Sequence, residues 1–147
     1  PLHRLSYAPL QKYHTLVVSE KTRPGQTILR PGTVTTKSIG DAAEEEVAKY
    51  LKRHGHEVVA RNWRTKFCEI DIVSRFDDTI YFTEVKYRKN DNHGGGLAAI
   101  TAKKQRQMRF AAEYFAVKHG LTDMNLRLAA ADVAGTPPTI QDFLVLG

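Results

Sequence analysis

Asp71 stands between Ile70 and Ile72, and Glu84 and Lys86 fall within the otherwise apolar run Ile80-Tyr81-Phe82-Thr83-Glu84-Val85-Lys86. Glu84 and Lys86 are two apart, so on a strand both project from one face. Two charges at the end of an apolar strand are costly to bury without partners. Asp77-Asp78 supplies a turn between the two runs, and an antiparallel hairpin closed there brings Asp71 toward Glu84. Carboxylates that close repel each other, and a divalent cation relieves the repulsion. Hard oxygen ligands of this kind suit Mg²⁺ or Mn²⁺. The chemistry that follows is hydrolysis of a phosphodiester, in which the metal polarises the phosphoryl group and lowers the pKa of a bound water. Lys86 would orient that water or stabilise charge developing on the phosphate.

These residues need elements to hold them. Ile39, Ala43, Val47, Tyr50 and Leu51 recur at helical spacing, which predicts a helix over Gly40–His54 stopped by Gly55. Asp41 would sit in its first turn, and Glu45 and Lys49 would pair four apart on the wet face. Glu44 leans toward the buried side, where it could add an outer ligand or position a water. Strands are expected at about His56–Trp63, Phe67–Ser74 and Thr79–Tyr87, the last apolar on both faces at its start, as a central strand is. A loop with Gly94, Gly95 and Gly96 follows, too short for a phosphate-cradling motif and plausible as a substrate gate. Beyond it come a helix at Ala98–His119, a strand at Leu126–Ala134 and an edge strand at Ile140–Leu146. That order gives an α/β fold, a mixed sheet flanked by helices with an α-β-β-β-α-β core.

Composition narrows the function classes. The chain has 147 residues, enough for one domain, and no apolar run near the roughly 20 residues a membrane helix needs. No continuous apolar region opens the sequence, so no secretory signal is expected. A lone cysteine, Cys68, excludes an internal disulfide and fits a cytoplasmic location. The formal charge is +6, and Arg4, Lys12, Lys21, Arg23, Arg30 and Lys37 against Glu20 place +5 of it before Ser38. Residues 1–38, with their Pro-Gly turns, are therefore expected to be a flexible basic extension, and residues 39–147 the folded domain. The six histidines show no ligand spacing, and Trp63 and Cys68 are expected in the core.

Glu84-Val85-Lys86, thirteen positions after Asp71, resembles the PD-(D/E)xK nuclease signature. The stretch from Gly40 to Asp132 resembles more specifically the YraN family of bacterial proteins, uncharacterised protein family 0102. The matching pieces are Gly40 with Ala43-Glu44, Tyr50-Leu51 and Gly55, Arg61-Asn62-Trp63-Arg64, Glu69-Ile70-Asp71-Ile72 and Glu84-Val85-Lys86-Tyr87-Arg88. Gly94-Gly95, Ile100-Thr101 and Lys104-Gln105 complete the series. The resemblance implies a restriction-endonuclease-like fold akin to Holliday-junction resolvases, with Glu44, Asp71, Glu84 and Lys86 as the active site. Ala43 and Cys68 stand where the family usually has Gly, and Ala130-Ala131-Asp132-Val133 where it has Arg-Phe-Asp-Val.

The resulting expectation is Mg²⁺- or Mn²⁺-dependent hydrolysis of DNA, including branched or damaged DNA. Asp71 and Glu84 would bind the metal with the Val85 carbonyl as an extra ligand, and Arg88, Lys103, Lys104 and Arg106 would meet phosphates, Lys104 nearest the site. A homodimer would suit a cut of both strands. The alternatives are a catalytically silent nucleic-acid-binding module of the same fold, a small interaction protein, and, for Asp71, Glu84 and Lys86, a structural ion-pair cluster.

Overall fold

Apolar runs in the described part of the chain become helices and strands in the computed structural model, which describes residues 36–90, 97 and 100–147. The order is α1 (Thr36–Arg53), β1 (Glu57–Arg64), β2 (Glu69–Phe76), β3 (Thr79–Arg88), α2 (Ala102–Lys118), β4 (Asn125–Ala134) and β5 (Thr139–Val145). The strands form one mixed sheet in the order β1-β2-β3-β4-β5. β1, β2 and β3 pair antiparallel, β3 pairs parallel with β4, and β5 returns antiparallel on β4. The parallel step from β3 to β4 runs through α2, as a parallel connection requires a crossover. This is the α/β sheet with flanking helices read from the sequence.

The two helices cover opposite faces. Ala43, Val47, Ala48 and Leu51 of α1 pack with Ile72, Ala131 and Val133. Met108, Ala111, Ala112, Phe115 and Ala116 of α2 pack with Ile80, Phe82, Leu128 and Ala130. β4 thus sends alternate side chains to the two helices and is buried from Leu128 through Ala134. Small alanines at 129–131 suit such a strand, because helices lie over both its faces.

Several local expectations shift. α1 begins at Thr36, so Asp41 lies beyond the first turn, which carries no acidic residue. Gly55, at φ 86, ends the helix as expected, with the His56 N–H donating back to the Leu51 carbonyl at 2.9 Å. α2 begins at Ala102 rather than Ala98, because the Thr101 side chain accepts from the Lys104 N–H and caps it there. Lys49 pairs with Glu46, three residues back, while Glu45 reaches across to Arg61 at 2.7 Å. Residues 1–35 of the expected extension and the run Gly94–Gly96 lie outside the described residues.

Besides the register shifts between Val58 and Ala60 and between Asp132 and Val133, regular alternation fails in the middle of β1 and β2. Ile70 and Val73 of β2 both join the α2-side core although three residues apart, and so do Ala60 and Trp63 of β1. Asn62, at φ 49, lies within this step. Asn is among the few residues that tolerate that conformation. Asp71 is the residue of β2 that falls at the same step.

Candidate active site

The β2–β3 ladder runs from Phe76 opposite Thr79 to Ile72 opposite Thr83, and its next pair would set Asp71 against Glu84. Here a side chain replaces the backbone. The Val85 N–H donates to Asp71 Oδ2 at 2.7 Å. That bond fixes the Asp71 carboxylate beside the strand carrying Glu84. Glu84 follows Ile80 and Phe82 by twos and so faces the α2 side. Its side chain is only 9% exposed. Lys86 Nζ lies 3.3 Å from Glu84 Oε1, and Lys104 Nζ, from the first turn of α2, lies 3.4 Å from Oε2.

Burial and neighbouring negative charge act in the same direction on Asp71. Burial pushes the Asp71 carboxyl up to about 7, the Glu84 charge adds to the rise, the Val85 N–H opposes it, and Glu44 and Glu69 raise it further. Glu44, on α1, also titrates above the ordinary carboxylate range, chiefly through burial and against a hydrogen bond from Asn62. Glu84 Oε2 and Glu44 Oε2 are buried without a hydrogen-bond partner among the described residues. Lys104 neutralises Glu84 Oε2 without a well-directed hydrogen bond. Buried carboxylate oxygens left this way mark places where water or an ion belongs.

The donor set can be tested against a divalent cation. Among the described residues no three His, Cys, Asp or Glu side chains gather as a metal cage. Mg²⁺ does not need one, since it is commonly held by one or two carboxylates with waters and substrate phosphate completing the octahedron. Asp71 and Glu84, one lifted in pKa by the other's charge and one with an orphaned oxygen, fit that pattern. So Asp71, Glu84, Lys86 and Lys104 come together, and Glu44 stands close enough for its charge to act on Asp71.

Other residues singled out in the sequence lie differently. Lys103 and Arg106 are exposed on α2. Arg88 is turned inward, with Nε 2.9 Å and Nη2 2.7 Å from the two carboxylate oxygens of Asp132, itself 2% exposed. Arg88 is thus engaged bidentately by a buried carboxylate, not standing free on the surface as the expected phosphate contact had it. Trp63 and Cys68 are in the core as expected. Asn62 and Thr101 are named from the sequence only as matching positions, with no role: Asn62 opposes the rise of the Glu44 carboxyl, and the Thr101 cap sets where Lys104 stands.

In sequence the chain is similar to a wider group of proteins. Residues 43–135 match the sequence model described as uncharacterised protein family UPF0102. The chain is 36% identical over 109 residues to a UPF0102 protein of Alcanivorax borkumensis, spanning 74% of this chain and 86% of that protein. It is 41% identical over 105 residues to a UPF0102 protein of Polaromonas naphthalenivorans, covering 69% of each. A UPF0102 protein of Hahella chejuensis is 39% identical over 89 residues, or 60% of this chain and 72% of that one.

Proposed function

The chain belongs to uncharacterised protein family UPF0102, and on that footing we propose that it is a metal-dependent nuclease hydrolysing DNA phosphodiester bonds. The observation that carries the reading is the convergence of a half-buried and a buried carboxylate, Asp71 pinned by the Val85 N–H and Glu84 with an oxygen that accepts no hydrogen bond, beside Lys86. Lys86 and Lys104 match Glu84, but among the described residues no Lys or Arg forms an ion pair with Asp71. This group keeps a carboxyl raised to about 7.

Asp71 and Glu84 would hold Mg²⁺ or Mn²⁺, with the Val85 carbonyl as a further ligand. The cation would supply Lewis-acid polarisation of the phosphate and a more acidic water. Lys86, whose Nζ lies beside Glu84 Oε1, holds a positive charge where the scissile phosphate gathers negative charge. Lys104 and the capped start of α2 add positive potential on the same side. Glu44, raised in pKa, is suited to exchange a proton with a water at the site. Lys103 and Arg106, exposed on α2, would meet the flanking backbone.

The test is cleavage of linear, flapped and four-way DNA in Mg²⁺, Mn²⁺ and chelator. Cleavage should require metal and fall about 10²- to 10³-fold in Lys86→Ala. Titration calorimetry should show Mn²⁺ binding that Glu84→Ala weakens. No cleavage on any of the three DNAs, with salt-sensitive DNA binding retained, would instead identify a silent binding module.

A further inference from the structure

The outer face of α2 leaves aromatic rings in water. Phe110 and Tyr114 are 52% and 48% exposed, and Phe67, in the turn between β1 and β2, is 63% exposed. Phe67 meets Phe110 edge-on at 5.9 Å between ring centres, and Tyr114 lies 6.0 Å from Trp63. Lys66 Nζ stands 6.0 Å from the Phe67 ring centre. These rings sit outside the core that buries the opposite side of α2, where Met108, Ala112 and Phe115 are fully covered. By helical spacing, residues 103, 106, 110 and 114 share one side of the helix. That side therefore runs from Tyr114 through Phe110 and Arg106 to Lys103, one residue from the Lys104 that touches Glu84.

Charge decides what covers this face. Glu113 is the sole acidic residue of α2, against Lys103, Lys104, Arg106, Arg109 and Lys118. A second copy docked about a two-fold axis would bring like charges together around the rings, which is costly. A polyanion carrying flat apolar groups matches both features. We propose that Phe67, Phe110 and Tyr114 form a stacking platform for the unpaired bases of single-stranded DNA, its phosphates following Arg106 and Lys103. That such a strand leads to the Asp71–Glu84 site rests on the nuclease reading above; the stacking itself does not.

Unpaired bases are specified by geometry. Inside a duplex the base faces are covered by their neighbours, so protein rings cannot stack on them. Phe110 and Tyr114 are four residues apart, about 6 Å along a helix rising 1.5 Å per residue. Bases in a duplex strand are spaced by about 3.4 Å. Bases on these two rings must therefore part from each other, which a single strand allows.

The test is fluorescence anisotropy with the full chain in chelator, so that hydrolysis plays no part. Labelled oligothymidylate is compared with an abasic oligonucleotide of the same length. The platform predicts tighter binding of oligothymidylate, an advantage that Phe110→Ala reduces about tenfold and Phe110→Trp preserves. Phe110 is exposed, and an unchanged melting temperature checks that its loss leaves the fold intact. Equal affinity for the two oligonucleotides overturns the proposal, even for a protein that cleaves duplex DNA. So does concentration-dependent self-association that Phe110→Ala abolishes while oligothymidylate affinity stays the same. A protein that passes this titration yet cleaves nothing would keep the platform and lose the nuclease.

Discussion

The Asp71 carboxyl governs how the metal-free protein responds to pH. Its folded pKa is lifted from 3.8 to about 7, chiefly by burial and then by the Glu84 charge. The folded state then binds the proton more tightly than the unfolded chain does. The stabilisation from this group is complete below the unfolded value and is lost as pH rises through about 7. Melting temperatures of the metal-free protein should therefore fall between about pH 4 and about pH 8, relative to Asp71→Asn, which has no proton to lose there. Identical pH profiles for the two proteins would show that the carboxyl titrates in its ordinary range. Because a cation must displace this proton, Mn²⁺ affinity should rise with pH and level off above about 7. Calorimetry on either side of that value reads the effect directly. Asp71→Asn should bind Mn²⁺ poorly at every pH, so relief of the carboxylate repulsion and loss of the site come from one substitution.

At the scale of elements, the start of α2 couples stability to the site. Thr101 accepts from the Lys104 N–H at 3.1 Å, and Lys104 in turn meets Glu84. Thr101→Ala should cost about 1 kcal/mol, the usual loss for a threonine cap, and should let the turn carrying Lys104 fray. A lower melting temperature accompanied by weaker DNA cleavage would fit that coupling, whereas cleavage loss at full stability would not. Arg88→Ala, by contrast, takes the bidentate partner from Asp132, which is 2% exposed, and should cost about 3–5 kcal/mol, the penalty for breaking a buried pair. Urea unfolding would measure it. The strands and helices themselves were legible because hydrophobic periodicity is local: Ile80-Tyr81-Phe82 reads as a central strand without knowing its neighbours. The Asp71–Glu84 approach was legible too, since a two-residue turn fixes register. What could not be read was which cation meets which anion. Arg88 with Asp132 and Arg61 with Glu45 join residues 44 and 16 positions apart, and only the placement of strands and helices brings them together. The face switch at Asn62 escaped for the same reason, because it shows only once Ala60 and Trp63 are seen in one core.

Taken as a molecule, the protein separates its charge from its chemistry. Of the formal +6, all but about +1 lies before Ser38, while the carboxylates and lysines of the site lie between Glu44 and Lys104. With Lys86 and Lys104 set against Asp71 and Glu84, the site has little net charge of its own to draw in a phosphate backbone, so attraction must come from elsewhere on the chain. Lys103, Arg106 and the stretch before Ser38 are the sources on hand. If Arg4, Lys12, Lys21, Arg23 and Arg30 contact phosphates, each contact contributes about 0.9 to the slope of log affinity against log salt on duplex DNA. Replacing these five by glutamine should flatten the slope by that amount per lost contact and weaken binding most at low salt. Lys103→Gln with Arg106→Gln should flatten it by at most two such steps, because only two cations are removed. Anisotropy titrations across a salt series compare the two variants. A five-fold glutamine variant with an unaltered slope would mean that the excess charge of the chain never reaches the DNA, and that the face of α2 draws in the backbone alone.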